Sequence, residues 1–187
     1  MANTQTNVSV GKPAVAGAVY TAPLGTTLPT TANASLGASF TCLGYVSEDG
    51  LKNTNSPTST NIKAWGGDIV ATPMTEKADE FKLKLIEALN ADVLKAVYGS
   101  ANVSGALSTG ITVAANAKEA EALVWVFDTI MANGALKRIV IPNGKITAVG
   151  DIVYKDNEVI GYDITIAAMP GSDGDTHKEY IKSASTT

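Results

Sequence analysis

His177 is the only histidine of the chain and Cys42 its only cysteine, so any histidine-based triad or histidine/cysteine metal centre must be built on one or the other. Neither has the company it would need. His177 stands between Asp175 and Glu179 close to the end of the chain and reads as an exposed tail residue. Cys42 excludes an intrachain disulfide and is expected to pack as a small apolar side chain. The run Ser-Asp-Gly-Asp-Thr from Ser172 has fragments of a calcium loop but lacks its spaced oxygens and closing glutamate, so a turn is expected. Asn143-Gly144-Lys145 lacks the upstream glycine and following Ser or Thr of a phosphate-binding loop. Glu76, Asp79 and Glu80 could pair as carboxylates, but Lys77, Lys82 and Lys84 lie among them, and a solvated strand face is the simpler reading. Trp65 and Trp125 could stack sugars or bases; Trp125 sits in an apolar run and belongs to a core, while Trp65 stands beside Gly66 and Gly67. These residues spell out no enzyme, cofactor or metal site.

The elements that would have to position such residues are mostly strands. With 187 residues the chain suits one domain, and 17% charged residues against 45% hydrophobic ones leave a polar but weakly charged surface. The formal net charge is -4, and Arg138 is the only arginine, which argues against a phosphate grip. No basic leader followed by an apolar run and no membrane-length apolar stretch is present, so no membrane anchor is expected and the chain is expected to be made and kept in a cytoplasm.

Residues 1–47 carry a single charged side chain, Lys12, and read as an N-terminal arm (1–38) followed by a strand at 39–46, with another strand at 15–21. Residues 47–61 are almost all Ser, Thr, Asn, Asp and Gly, and form the polar middle of a long hairpin loop (47–64) with Tyr45 and Trp65 at its ends. These two aromatics are expected to anchor the loop in the body, and Gly66-Gly67 to make a tight bend. Residues 80–86 alternate Phe81, Leu83 and Leu85 with Glu80, Lys82 and Lys84, the pattern of a half-buried strand. Asn90 caps a helix whose apolar stripe includes Val93 and Val97, and Gly99 stops it. Residues 100–110 read as loop. Residues 123–131 are apolar on both faces and predict a central strand, in preference to a helix opened by Asn116 and Glu119. Asn133-Gly134 and Asn143-Gly144 predict two hairpin turns around strands at 136–141 and 145–149. A further hairpin is expected around Lys155-Asp156-Asn157, and a short strand or tail at 177–181 inside a C-terminal segment, 170–187. The sum is a mainly β protein with an antiparallel β-sandwich or barrel-like core, one short flanking α-helix, an extended N-terminal arm and a long hairpin loop.

Several stretches, in order, resemble the major tail protein, or tail tube protein, of long non-contractile-tailed bacteriophages: GKPAVAGAVYTAPLGTTLPT, LGYVSEDGL, NIKAWGGDIV, FKLKLIEALNADVLKAVYG, ALKRIVIPNGKITAVGDIVYKDNEVIGYDITIAAMP and DGDTHKEY. The resemblance spans nearly the whole chain. It implies a single tail-tube domain over 1–187, six copies closing into a ring, and rings stacked into a hollow tube that delivers DNA. Its implied partners are other copies of itself, a tape-measure protein, and tail tip and tail terminator proteins, in a virion tail. No catalytic residue comes with it. The long loop would reach neighbouring subunits, with Tyr45, Glu48, Asp49, Leu51, Ile62 and Trp65 as the expected inter-subunit contacts. A lumen on which Asp, Glu and hydroxyl side chains outnumber Lys would let DNA slide. The alternative is a monomeric β-sandwich module that binds cell-surface carbohydrate through Trp65 and the loop.

Overall fold

A computed structural model describes residues 3–15 and 17–184 of the chain; the outer ends of the expected N- and C-terminal segments, and residue 16 of the strand expected at 15–21, lie outside these. The strands, in chain order, are β1 (Gly11–Pro13), β2 (Val19–Pro23), β3 (Thr41–Cys42), β4 (Lys52–Ser59), β5 (Ile62–Lys63), β6 (Ile69–Ala71) and β7 (Met74–Leu85). After the helix α1 (Ala91–Tyr98) come β8 (Val103–Ala106), β9 (Gly110–Val113), β10 (Ala122–Met131), β11 (Leu136–Val149), β12 (Tyr162–Met169) and β13 (Lys178–Lys182). Nine of them form one antiparallel sheet in the order β3-β2-β10-β11-β12-β7-β4, with β1 also on β10 and β13 also on β11. The fold is mainly β and sandwich-like, as the run of hairpin-joined strands predicts.

The sheet curls onto itself. Phe81 of β7 stacks on Phe127 of β10 at 5.9 Å between ring centroids, although β11 and β12 lie between these strands in the sheet order. The enclosed core takes Phe81, Leu83 and Leu85 from β7, Trp125 and Phe127 from β10, and Tyr162, Ile164 and Ile166 from β12. Each such side chain contributes about 1.5–3 kcal/mol when fully buried. The helix adds Val93, Leu94, Ala96 and Val97 to the same core, and Tyr98 meets Tyr162 edge-on at 5.9 Å. Its ends are those its sequence dictates: the Asn90 side chain accepts a hydrogen bond from the Asp92 N–H, and the Gly99 N–H closes on the Lys95 carbonyl at positive φ.

β10 is buried on both faces, which is why its sequence shows no polar side. Val124 and Val126 point away from Trp125 and Phe127 into a second, smaller cluster with Ala22 and Val140, covered by Leu36, Phe40 and Tyr180. Leu36 and Phe40 belong to the loop between β2 and β3 and Tyr180 to β13, and Arg138 fastens the loop. On adjacent strands in register, Arg138 and Asp128 form a two-pronged ion pair, Nε to Oδ1 at 2.6 Å and Nη2 to Oδ2 at 2.7 Å. Nη1 then donates to the carbonyls of Thr31 and Ala34 at 3.2 and 2.7 Å. The one arginine is thus a buried clasp.

Several expected boundaries move. The Asn143-Gly144 pair is no turn: β11 passes straight through it. A Cβ on Gly144 would come within 2.6 Å of Trp125 Cδ1, and the indole N–H donates to the Gly144 carbonyl at 3.1 Å, so this glycine makes room for a tryptophan. Asn133-Gly134 does turn the chain between β10 and β11, with Asn133 at φ 62°. Residues 100–110, expected as loop, hold β8 and the turn into β9, which pair as a hairpin over 103–113. β12 begins only at Tyr162; the turn at 155–158 is held by a single bridge, Lys155 to Glu158.

Candidate assembly surfaces

Every residue from 52 to 77 is exposed. The bend expected at Gly66-Gly67 is present, but the stretch departs from the sequence reading, which makes 47–61 the polar middle of a long loop and starts the half-buried strand at residue 80. Instead β4 pairs with β7 from Lys52–Lys82 out to Ser59–Met74, and the small β5–β6 ladder extends the pair to a tip at Gly66-Gly67, both at positive φ. β4 alone spans about 26 Å at the rise of an extended strand. The two-stranded arm is held by its backbone ladder and a few side-chain bonds, such as Thr72 Oγ1 to Asn61 Oδ1 at 3.2 Å. An isolated hairpin of this kind is marginal in water and gains order from a partner. Its tip ladder carries Ile62, Trp65, Ile69 and Val70, all open to solvent, as is Met74 at the start of β7, with Trp65 as exposed as a free side chain at 106%.

The expected contact residues fall into two groups. Ile62 and Trp65 lie at the tip. Tyr45, Glu48, Asp49 and Leu51 lie at the body end, where the chain enters β4. The expectation that Tyr45 and Trp65 anchor the loop in the body is overturned, since both rings are exposed. What ties this end down is backbone and core: Tyr45 N–H donates to Glu87 Oε1 at 2.9 Å, Val46 bridges Leu85, and Leu51 and Val46 pack against the main cluster. Lys52 reaches the exposed Asp49 at 3.9 Å, a weak surface pair.

At the root of the arm the structure corrects two further readings. Asp79 does not belong to a solvated face; it shares the buried side of β7 with Phe81, and its carboxylate is enclosed. His177 is no exposed tail residue: its Nδ1 sits 2.6 Å from Asp79 Oδ2, and its ring meets Phe81 edge-on at 5.1 Å. Thr176 Oγ1 donates to the same Oδ2 at 2.5 Å, and Asn53 Nδ2 donates to Oδ1 at 2.9 Å. Burial pushes the Asp79 carboxyl up, but the bonds from Thr176, Asn53 and His177 outweigh it and hold it below its ordinary value. One carboxylate therefore ties β4, β7 and the start of β13 together. Acid, imidazole and hydroxyl meet here without forming a relay. In a catalytic triad the imidazole bridges acid and hydroxyl, whereas here both Thr176 and His177 bind the same carboxylate oxygen. The described residues contain no group of three His, Cys, Asp or Glu placed to hold a metal ion.

A curled antiparallel sheet with a projecting arm, an apolar tip and an exposed aromatic at its body end defines a β-structural subunit made for contact with other chains. The chain belongs to the phage tail tube protein family, whose profile it matches over residues 1–186. No curated protein matches it. It is a structural protein of the virion tail that assembles, with other tail components, into the tail tube.

Proposed function

We propose that the chain forms the tube of a long, non-contractile phage tail: six copies close into a ring, rings stack, and the genome passes through the bore on its way into the host. The observation that carries this reading is the arm of residues 52–77, an ordered hairpin whose apolar tip is covered by none of the other described residues. Marginal as a free hairpin, it becomes worthwhile as a connector to another copy. The sheet path ends at β3 and β4, and pairing such edges between copies joins separate sheets into one closed wall. Tyr45, Glu48, Asp49 and Leu51 at the body end, and Ile62 and Trp65 at the tip, are the inter-subunit contacts in this reading. Residues 1–38 and 170–187 add segments that reach neighbours, in one tail-tube domain. Subunits accumulate in the host cytoplasm, and assembly engages a tape-measure protein, a tip complex and a terminator. The net charge of -4, with no arginine free to grip phosphate, suits a bore along which DNA slides. A carbohydrate-binding module is disfavoured because Trp65 stands on a convex tip, whereas ligand sites are concave.

Electron microscopy and sedimentation of the purified chain test the reading. Rings or hollow tubes are expected, and replacing residues 60–72 by a short turn is expected to leave a folded subunit that forms none. A chain that stays monomeric at high concentration, even with tail extracts added, would sink the proposal.

A further inference from the structure

β7 runs unbroken from Met74, where the β5–β6 ladder that carries the arm's tip begins, to Leu85, and Ile86 then opens a recess of about 670 Å³ at the other end of the molecule. Its twelve residues of extended chain span about 40 Å, and the β5–β6 ladder sets the tip farther still from the recess. The floor and walls are Ile86, Leu89, Val159 and Ile160, and the rim carries Glu87 and Glu158. Leu89 and Val159 are 69% and 60% exposed, so the recess, like the tip, presents apolar surface that none of the described residues covers.

Resting on the tube reading above, we propose that this recess receives the arm tip of a second copy, with Trp65 as the inserted side chain. Four observations converge on that occupant. The tip cannot reach the recess of its own chain, because β7 holds the two apart, so the partner is another molecule. A protrusion at one pole that fits a recess at the opposite pole is a head-to-tail contact, which does not close on itself and propagates along the strand direction. A buried indole N–H needs an acceptor, and the rim offers two carboxylates. Glu158 already takes Lys155 and Lys84 at 3.1 and 3.4 Å, and Glu87 takes Tyr45 N–H and Asn90 Nδ2 at 2.9 Å each, leaving lone pairs on both. Charge matches as well: Lys63 flanks Trp65 on the arm and would face the two glutamates, while Asp68 would face Lys155. Tyr45, whose carbonyl accepts from Ile86 N–H at 3.1 Å, stands beside the recess and extends the same contact.

The test is a disulfide ladder. In a Cys42→Ser background, a chain carrying both Asp68→Cys and Lys155→Cys, the pair that would face each other with Trp65 and Leu89 left in place, is assembled and oxidised, and denaturing electrophoresis is expected to show a ladder of covalent multimers. Each single cysteine variant is expected to give monomer only. Dimers from Asp68→Cys alone would mean tip-to-tip contact and would overturn the proposal. Independently, Val159→Glu, an exposed position that should leave the circular dichroism spectrum unchanged, is expected to raise the concentration needed for polymerisation by about thirtyfold, as for loss of an interface hot spot. Mixing Val159→Glu with Trp65→Asp restores one good contact per pair, so the mixture is expected to yield head-to-tail pairs that neither variant forms alone. If wild-type chains form tubes but the ladder is absent and Val159→Glu polymerises normally, this inference falls and the tube reading stands. If wild-type chains form no tubes, both fall.

Discussion

β10 and the projecting arm are built on opposite terms. β10 is buried on both faces: Trp125 and Phe127 lie in the main core, and Val124 and Val126 lie under the loop that Arg138 fastens. The arm has no buried residue between 52 and 77, although β4 pairs with β7 from Lys52 to Ser59, with one register shift between Thr58 and Ser59. Side-chain burial therefore specifies the first and backbone pairing the second. A strand specified by burial serves its own chain, and one specified by pairing alone is completed from outside.

Substitutions can break that contrast or sharpen it. The largest effect on stability is expected from Asp128→Ala, which strands the Arg138 guanidinium in a buried site and releases the covering loop; a loss of about 3–5 kcal/mol, read by denaturant unfolding, is expected. Gly144→Val comes next, since its side chain would collide with Trp125, and about 1–3 kcal/mol should be lost without change of fold. A loss no larger than that of an exposed substitution would show the β10–β11 contact to be loose.

Asp79→Asn tests the joint between the two regions. The Asp79 carboxyl titrates below its unfolded value of 3.8, so its stabilising effect is complete above that pH and fades as the pH falls through the lower, folded value. Thermal melts of wild type between pH 5 and pH 2 are therefore expected to fall more steeply than those of Asp79→Asn; parallel curves would remove Asp79 from this role. The exposed carboxylates of Glu119, Glu158 and Asp173, held low by Lys145, Lys155 and Lys178 respectively, titrate in both proteins and cancel in the difference. The smallest effect on stability belongs to Trp65→Asp, within about 0.5 kcal/mol by melting, as for other exposed sites. The same variant is expected to lose tube formation, and a chain that melts normally and still polymerises would erase the distinction between arm and body.

The sequence was legible where burial left a period in it. Asn90, the stripe through Val93 and Val97, and Gly99 delimit α1 to the residue, and the two-sided apolar run at 123–131 marks the strand that lies deepest. β4 was illegible because Lys52, Thr54, Ser56 and Thr58 are as polar as Asn53, Asn55 and Ser59, so neither face differs from the other. Asn143-Gly144 misled because a local turn preference yields to a tertiary demand, the space Trp125 needs. The roles of His177 and Arg138 depend on partners 98 and more than 100 positions away, beyond any local pattern. The sequence reading names Ile62 and Trp65 as contact residues, although it expects Trp65 to anchor the loop in the body; the recess beyond Leu85 was not legible, because Ile86, Leu89, Val159 and Ile160 come together only when β7 and the loop before β12 are side by side.

The continuity of β7 also has a mechanical meaning. A pull between the arm's tip and the body runs along one unbroken strand, flanked by β12 on one side and β4 on the other. Antiparallel hydrogen bonds lie across the strand direction, so such a pull shears many of them together and does not peel them one after another. The subunit is thus built to yield last along the axis on which its arm points, and first to a force applied sideways at the tip.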